Sequence, residues 1–326
     1  MSAWGGKKIE SFTPWKEQKK IKYLVSQKRQ KDKQSLLWNQ EKVDSDYKKA
    51  LKNRNSALKK WRVVGKKGKK PKIVNRRKHP VRGGNYPSGV YNAMIHPFLK
   101  YNIAGVIWYQ GEANSFSTDS ISGAPNYDVM LERLIVSWRK NWGIGNFPFY
   151  FVQLPEWKAP WREPIEKTQV WPITRDKMRQ VVLKVPKTGK AITLGLGEAN
   201  NVHPKNKKDV GERLAFLALK NDYGKNIVKS GPIAINCKFK NKKVIITFNN
   251  GGADLKFSGV KSIGFAVISK NNEIIKVDAK IICNNKIEII SNLEILEVYY
   301  AWADNPAGAN LQNTANLPAS PFRFKK

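Results

Sequence analysis

The sequence predicts a mixed α/β protein that continues into a β-rich C-terminal unit. Between about residues 91 and 226, short apolar runs alternate with amphipathic helical patterns, and beyond that point the hydrophobic period changes to two. Strands that alternate with helices indicate a parallel sheet covered on both faces. Hydrophobic residues make up 41% of the 326 residues, which is enough for a sizeable core and excludes general disorder.

The N-terminal quarter of the chain is composed differently. Residues 1–15 are interpreted as a strand end and a turn, and residues 16–85 as a lysine-rich insertion. Between Val43 and Trp61, apolar residues recur at spacings of three, four and seven, which predicts one face of a helix. Glycine and proline in the following basic run favour an extended, solvated segment. We therefore expect a helical arm with a floppy basic tail.

The remaining elements follow in order along two predicted domains. In residues 1–226, an α/β domain, the predicted strands are 103–108, 149–154 and 191–196, and the predicted helices are 127–138, 175–183 and 210–218. In residues 227–326, the predicted strands are 244–248, 263–267, 286–290 and 298–302. Short strands separated by Asn and Gly turns, in a unit of this size, are typical of a small sandwich.

The charge of the chain is strongly positive and unevenly distributed. Its 60 Lys and Arg exceed its 25 Asp and Glu by 35, and residues 1–85 alone hold 27 basic and 6 acidic side chains. Charge alone suggests a nucleic-acid or anionic-surface partner. However, the lysines are spread over a long insertion with few interleaved aromatics, unlike a base-stacking surface. We expect weak, salt-sensitive adhesion to polyanions and no specific nucleic-acid partner.

Several other classes are excluded by simple counts. No apolar stretch approaches the ~18 residues of a membrane span, and the first residues lack the apolar core of a secretory signal. Two cysteines and three histidines cannot form a Cys/His zinc site, so we expect no metal. Cys237 and Cys283 could pair or stay free, and the sequence leaves the oligomeric state open.

A first candidate site lies in the segment W-Y-Q-G-E-A-N, directly after the strand that ends near Ile107. Ligands of open α/β sheets bind beyond the carboxyl ends of the strands. Gly111 would let the backbone approach a substrate, Gln110 and Asn114 could donate hydrogen bonds to a developing oxyanion, and Glu112 adds a carboxylate. The alternative is a polar loop that caps a helix.

A second candidate is His203, in N-N-V-H-P-K, which also follows a predicted strand and is placed where a general base would lie. We expect His79 to be solvated and His96 to be a packed structural residue. The Gly5-Gly6 pair could offer a backbone N–H to the same site, although turns often contain such pairs.

Together, these segments resemble the sialate O-acetylesterases, carbohydrate esterases of the SGNH hydrolase superfamily. The matching blocks are W-G-G-x-x-I-E, Y-N-A-M-I-H-P, G-V-I-W-Y-Q-G-E-A-N, F-P-F-Y-F-V-Q-L-P, H-P-K-N-K-x-x-V-G-x-R-L-A, Y-A-W-A-D-N-P and L-P-A-S-P-F-R. They occur in order and span nearly the whole chain outside residues 16–85. The resemblance implies a flavodoxin-like three-layer α/β/α fold, an acetylated carbohydrate substrate, a Ser-His mechanism and no cofactor.

The resemblance also implies roles for individual residues. His203 would be the general base and Gly6 the oxyanion glycine, while Gln110, Gly111, Glu112 and Asn114 would match the third conserved block. In relatives, an Asp usually precedes the His by two or three residues.

Two departures from the family pattern qualify these roles. Asn201 and Asn200 stand where relatives usually have the Asp, and they carry no charge to stabilise an imidazolium. No G-x-S-N-like nucleophile segment precedes W-G-G, and Ser2 matches a second-block serine instead.

These departures lead to three hypotheses about function. The first is an N-terminally truncated sialate O-acetylesterase-like hydrolase, incomplete at its first strand and inactive as given. The second is a non-catalytic relative that binds acetylated glycans, with Trp157, Trp161 and Trp171 as a possible sugar platform, and the third is a polyanion binder. The resemblance further suggests a periplasmic or secreted location.

Overall fold

The computed structural model describes residues 4–165 and 170–326. They divide into two compact units, of which the first comprises Trp4 and Glu10–His96 and the second Gly5–Ile9 and Pro97–Lys326. The second unit contains both the predicted α/β elements and the β-rich region. The proposed boundary at residue 226 therefore lies inside one compact unit.

The first unit is helical. It contains α1 (Trp15–Gln18), α2 (Lys22–Leu36) and α3 (Gln40–Val63), followed by a π-helical turn at Tyr91–Ile95. The Asn39 side chain caps α3 by accepting a hydrogen bond from the Lys42 N–H at 2.8 Å. The predicted helix is therefore confirmed, with Val43 buried on its apolar face.

Three expectations about the first 96 residues are corrected. No strand occurs in residues 4–15, where a short 3-10 helix (Ile9–Ser11) and α1 are found instead. His96 is exposed, with its ring 6.1 Å edge-on from that of Tyr91, and His79 is half-buried, with its ring 5.0 Å from that of Trp38. Sequence spacing cannot show which side of a short helical turn faces solvent.

The predicted parallel sheet is confirmed in the second unit. Strands β1 (Val106–Trp108), β2 (Phe149–Val152) and β3 (Thr188–Ala191) pair in the order β1-β2-β3, with all pairs parallel. The helices in this region are α4 (Glu112–Ser115), α5 (Tyr127–Trp142), α6 (Trp171–Lys184) and α7 (Lys207–Asn221). Gly143 ends α5 in the left-handed conformation, and its N–H bonds to the Arg139 carbonyl.

Helices cover both faces of this sheet. On one face, Tyr150 and Val152 of β2 share a core with Val210, Leu214 and Leu217 of α7. On the opposite face, the ring of Phe149 lies 6.1 Å from that of Trp138 of α5. Because successive side chains of a strand point to opposite faces, the described sheet is the middle of three layers.

The third strand does not lie where the sequence predicts it. Strand β3 ends at Ala191, whereas the prediction began there and continued to Leu196. The backbone N–H groups of Gly195 and Gly197 bond to the Glu156 carboxylate instead of to a neighbouring strand, and Gly195 has φ of 84°. The buried apolar residues of this stretch therefore lie in a loop that a side chain holds in place.

The predicted β-rich region is confirmed, and two of its antiparallel sheets form a sandwich. It contains β4 (Ile233–Lys240), β5 (Lys243–Asn249), β6 (Leu255–Phe257), β7 (Phe265–Ser269), β8 (Ile274–Lys276), β9 (Ala279–Cys283), β10 (Lys286–Ile290), β11 (Ile295–Tyr300), β12 (Leu311–Asn313) and β13 (Phe322–Lys325). Two four-stranded antiparallel sheets, β4-β5-β10-β9 and β13-β11-β7-β8, share one hydrophobic core, and β12 pairs with β6. Cys237 and Cys283 are both free.

Helix α6 joins the sandwich to the parallel sheet. The Arg179 guanidinium donates to the Ala234 carbonyl at 2.7 Å and pairs with Asp176 at 2.7 Å. Ile192 and Leu194, which follow β3, are part of the sandwich core. None of the helices described here is long and apolar enough to cross a bilayer.

Candidate active site

The parallel sheet brings the two main sequence motifs to the same edge. Trp108 at the end of β1 is paired with Phe151, and Val152 at the end of β2 is paired with Ala191 at the end of β3. The loops that follow β1, β2 and β3 therefore all leave the carboxyl edge, where ligands of such sheets bind. His203 follows β3, and the 110–114 segment follows β1.

Gln110 and Asn114 form a buried amide pair. Gln110 Nε2 donates to Asn114 Oδ1 at 2.8 Å and to the Lys7 carbonyl at 3.1 Å, and Gln110 Oε1 accepts from the Tyr127 hydroxyl at 2.8 Å. Gln110 is 8% exposed and Asn114 is 0% exposed. Both amide protons of Gln110 are thus engaged within the protein, and an oxyanion would have to compete for them.

The same amide pair holds the segment after the Gly5-Gly6 turn. Asn114 Oδ1 accepts the Ile9 N–H at 3.0 Å, and its amide donates to the Ser122 carbonyl at 2.9 Å. Gly6 is exposed and has φ of 68°, a conformation that glycine adopts without strain. Among the described residues, no hydrogen bond is found to the Gly6 N–H.

Gly111 is where the loop after β1 packs closely on its neighbours. A Cβ atom at this position would lie 3.0 Å from Leu154 and 3.0 Å from Met178. Gly111 precedes the short helix α4, and Glu112 is its half-buried first residue. Burial raises the pKa of the Tyr109 hydroxyl, and the negative charge of Glu112 adds to that effect.

The loop that carries His203 is shaped by carboxylate and amide groups. Glu198 accepts the Lys205 N–H at 2.7 Å, and this bond lowers the pKa of the Glu198 carboxyl group. Asn201 Oδ1 accepts the backbone N–H of His203 at 3.0 Å. Asn201 thus orients the backbone at His203, whereas Asn200 is exposed and has no hydrogen bond to the imidazole among the residues described.

His203 and the 110–114 segment share the sheet edge but do not touch. The His203 side chain is exposed, and within residues 4–165 and 170–326 no hydrogen bond joins it to the loop after β1. The two loops approach each other through Lys207, whose Nζ lies 4.9 Å from the centre of the Tyr109 ring. The structure therefore puts both loops at one sheet edge, and the described hydrogen bonds engage only the backbone N–H of His203, not its imidazole.

The loop after β2 is bonded to the loop that carries His203, and the sequence assigned a role only to its tryptophans, as part of a sugar platform. Its Glu156 carboxylate holds the loop after β3, and the Lys158 N–H donates to the Ala199 carbonyl at 2.9 Å. A Cβ atom at Gly197 would lie 2.3 Å from the Glu156 carbonyl oxygen, so glycine is required there. The F-P-F-Y-F-V-Q-L-P block ends directly before Glu156 and contains no Asp, Glu, Lys, Arg or His.

An aromatic cluster lies beside these loops. The Phe116 ring is 5.7 Å from that of Trp157 and 5.6 Å from that of Trp171, and the two indoles are 5.2 Å apart. Phe116 is 62% exposed although Trp171 is buried. The buried indole thus supports an exposed ring two residues beyond Asn114.

No described serine hydrogen-bonds to His203. Ser115, the serine nearest to the amide pair in sequence, is 0% exposed and its hydroxyl is 2.6 Å from Thr174 Oγ1. Ser2 lies outside the described residues. The residues described here also contain no cluster of three His, Cys, Asp or Glu side chains that could hold a metal ion.

Comparison with known proteins connects these features to one family. Residues 81–220 match the family model described as carbohydrate esterase, sialic acid-specific acetylesterase. This part of the chain is similar to the sialic acid-specific acetylesterase family. The matched region includes the 110–114 segment, the loop after β2 and His203.

Curated relatives and a solved structure agree with this family. Sialate O-acetylesterase from Mus musculus is 30% identical over 190 residues, covering 54% of this chain and 33% of the relative, and the Homo sapiens protein is 32% identical over 167 residues, covering 47% and 31%. The crystal structure of a carbohydrate acetylesterase from Xanthomonas citri has a TM-score of 0.67 and 32% identity, covering 74% of this chain and 55% of that one. The chain thus spans about a third of the length of the curated relatives it matches.

Proposed function

We propose that this chain is a carbohydrate O-acetylesterase in which His203 acts as general base and the Gly6 N–H as an oxyanion donor. The supporting observation is the common sheet edge, where the loop of His203 and the loop held by Gln110 and Asn114 both emerge. A base that deprotonates an attacking hydroxyl or water, together with a backbone donor for the resulting oxyanion, would allow the sugar alcohol to leave and acetate to be released. The acetylated carbohydrate substrate is inferred from the family.

The amide pair contributes indirectly to this proposed chemistry. Because Gln110 and Asn114 bind the Lys7 carbonyl and the Ile9 N–H, they fix the segment that follows Gly6. An oxyanion donor is effective when it needs no reorganisation during the reaction. Gln110 and Asn114 are therefore proposed as positioning residues and Gly6 as the group that contacts substrate.

We further propose that the chain from Met1 to Lys326 hydrolyses acetyl esters slowly. A Ser-His mechanism needs a serine hydroxyl beside the imidazole, and among the residues described no serine hydrogen-bonds to His203. Asn201 is engaged with backbone and carries no charge, so it cannot stabilise an imidazolium as a carboxylate would. A hydroxyl supplied next to His203 should restore the acyl-enzyme step.

Two assays test the proposed site and the proposed slow rate: release of acetate from an acetylated oligosaccharide and hydrolysis of p-nitrophenyl acetate. We expect slow turnover that His203→Ala lowers further, whereas His96→Ala, which removes another exposed imidazole, should have no effect. Fast turnover that depends on His203 would support the reaction class and refute the slow rate, and Ser2→Ala would then show whether Ser2 is the nucleophile. Fast turnover that is indifferent to His203→Ala would refute the site.

The aromatic cluster favours a second candidate function, binding of acetylated glycans without turnover. The exposed Phe116 ring, held by Trp157 and Trp171, offers a rigid apolar face to a pyranose ring. A contact of this kind contributes about 1 kcal/mol, or roughly fivefold in affinity. Calorimetric titration with an acetylated oligosaccharide should show weaker binding by Phe116→Ala and unchanged binding by Phe98→Ala, an exposed phenylalanine paired with Tyr101. Equal effects of both variants would contradict a platform at Phe116.

A further inference from the structure

The basic arm, defined here as residues 40–82, carries a charge that the esterase site does not explain. It contains 17 Lys and Arg and 3 Asp and Glu, so its net charge is +14 out of +35 for the whole chain. The family match begins at residue 81, and almost all of the arm precedes it. Another property of the molecule must account for this concentration of charge.

The arm has a defined geometry in which its second half lies along its first. The Trp61 indole N–H donates to the Gly68 carbonyl at 3.2 Å, and Arg54 Nε donates to the Lys72 carbonyl at 3.2 Å. Further along, Arg76 Nε donates to Asp44 Oδ1 at 2.5 Å. As the chain advances from Gly68 to Arg76, its partners on α3 step backwards, so the segment, which we call the strap (residues 64–82), runs antiparallel to the helix.

The lengths of helix and strap agree with this arrangement. Between Asp44 and Trp61, α3 advances 17 residues, or about 26 Å at 1.5 Å per residue. Between Gly68 and Arg76, an extended chain of 8 steps covers about 26 Å at 3.3 Å per residue. The strap is thus extended along the helix, and its side chains are spaced regularly. The floppy tail expected from the sequence is not found in this segment.

Both halves of the arm present their cations to solvent. Of the 17 basic side chains only Arg54 is half-buried, and the other 16 are exposed. With fourteen net charges over about 26 Å, neighbouring charges lie closer together than the Debye length, which is about 8 Å at physiological salt. Such self-repulsion is relieved when a linear polyanion replaces many small counterions.

The residue types favour a polysaccharide over a nucleic acid. Twelve of the 17 cations are lysines, which act as point charges and lack the bidentate fork with which arginine reads bases. The aromatics of the arm are Tyr47 and Trp61, both half-buried, and the Trp61 N–H is bonded to the strap. No exposed ring is therefore present in the arm for base stacking.

We propose that the basic arm binds a linear anionic polysaccharide along the exposed lysines of the strap and α3. Its anionic groups would be neutralised by lysines from both halves of the arm, with affinity supplied mainly by counterion release. Such an anchor would keep the second unit close to glycan chains independently of whether an ester is cleaved. The inference therefore does not depend on the proposed esterase activity.

The test measures binding of polygalacturonate to the full chain between 50 and 300 mM salt. The strap variant combines Lys66→Gln, Lys67→Gln, Lys69→Gln and Lys78→Gln, all at exposed positions. The matched control makes the same four substitutions in the sandwich, at the exposed residues Lys238, Lys240, Lys242 and Lys286. Thermal unfolding of both variants verifies that they are folded.

We expect the strap variant to bind at least tenfold more weakly at 50 mM salt. The slope of log affinity against log salt should fall by about 3, because each lost contact contributes roughly 0.7–0.9. The control should stay within twofold of the parent. Equal weakening by both variants, no binding of polygalacturonate at 50 mM salt, or tighter binding of a DNA duplex of equal charge would each overturn the proposal.

Discussion

Replacement of Arg175 by Met should destabilise the protein more than any change at its surface. The guanidinium is 0% exposed and donates four hydrogen bonds to backbone carbonyls: to Leu154 at 2.8 Å, Pro155 at 2.6 Å, Ala303 at 2.7 Å and Asp304 at 2.9 Å. Two of these carbonyls follow β2 and two follow β11. One side chain therefore joins the carboxyl edge of the parallel sheet to the sandwich.

The magnitude follows from these four bonds. A hydrogen bond from a charged donor contributes about 1.5–3 kcal/mol, so the gross loss is roughly 6–12 kcal/mol. Methionine is spared the several kcal/mol needed to bury a charge, and it fills part of the volume. The net loss should be about 3–5 kcal/mol, which is a large part of the 5–15 kcal/mol that is typical of a folded domain.

Equilibrium unfolding in urea measures this loss, and Lys208→Met, which removes an exposed cation from α7, is the control. Burial lowers the pKa of Arg175 to about 10, so the guanidinium stays protonated in both folded and unfolded states at neutral pH. The effect of Arg175→Met should therefore be the same from pH 5 to pH 8. A loss below 1 kcal/mol, or one that varies across that range, would refute this account of the four bonds.

Two further predictions concern other buried polar groups. Asn114→Ala should lower the free energy of unfolding by about 2–3 kcal/mol, since it leaves buried partners unsatisfied. It should also accelerate hydrogen exchange of the Ile9 amide. An unchanged exchange rate would contradict the anchoring role of Asn114. Burial, with a contribution from the charge of Arg179, lowers the pKa of Lys190 well below its usual value. Between that lowered pKa and the unfolded value of about 10.4, the unfolded chain binds more protons than the folded chain. The free energy of unfolding therefore rises with pH in this range. Lys190→Met should abolish this pH dependence. The free energy of unfolding of the parent should therefore increase relative to that of the variant from pH 7 to pH 10. A difference between the two proteins that stays constant over this range would disprove the prediction.

Elements with a wide apolar face could be predicted from the sequence. The periodicity from Tyr127 to Trp138 lies within the observed α5, and the strand predicted at 286–290 coincides with β10. Both depend on contacts that the local pattern encodes directly. The end of β3 could not be predicted, because the loop that replaces the predicted end of the strand depends on bonds from Gly195 and Gly197 to the Glu156 carboxylate, about 40 residues away in sequence.

In the candidate site too, features set by the local sequence could be predicted, and contacts between residues distant in sequence could not. The position of His203 after a parallel strand follows from the order of elements, and its loop lies at the predicted edge. The network around Arg175 joins groups up to 129 residues apart, and no spacing rule indicates such a contact. Residue types reveal which groups could react, whereas burial decides which of them are already engaged.

The Gln110–Asn114 pair makes this distinction experimentally accessible. An amide that binds only an oxyanion contributes to the transition state and little to folding, so its removal should lower kcat and leave the unfolding midpoint unchanged. Removal of an amide that holds the Lys7–Ile9 segment should instead lower the unfolding midpoint. It should lower turnover only indirectly, because Gly6 is then no longer held in position. The 0% exposure of Asn114 and its bond to the Ile9 N–H favour the second outcome. Gln110→Met should then resemble Asn114→Ala in stability, because each change disrupts the same 2.8 Å bond between their side chains, and the two losses should not add in the double variant.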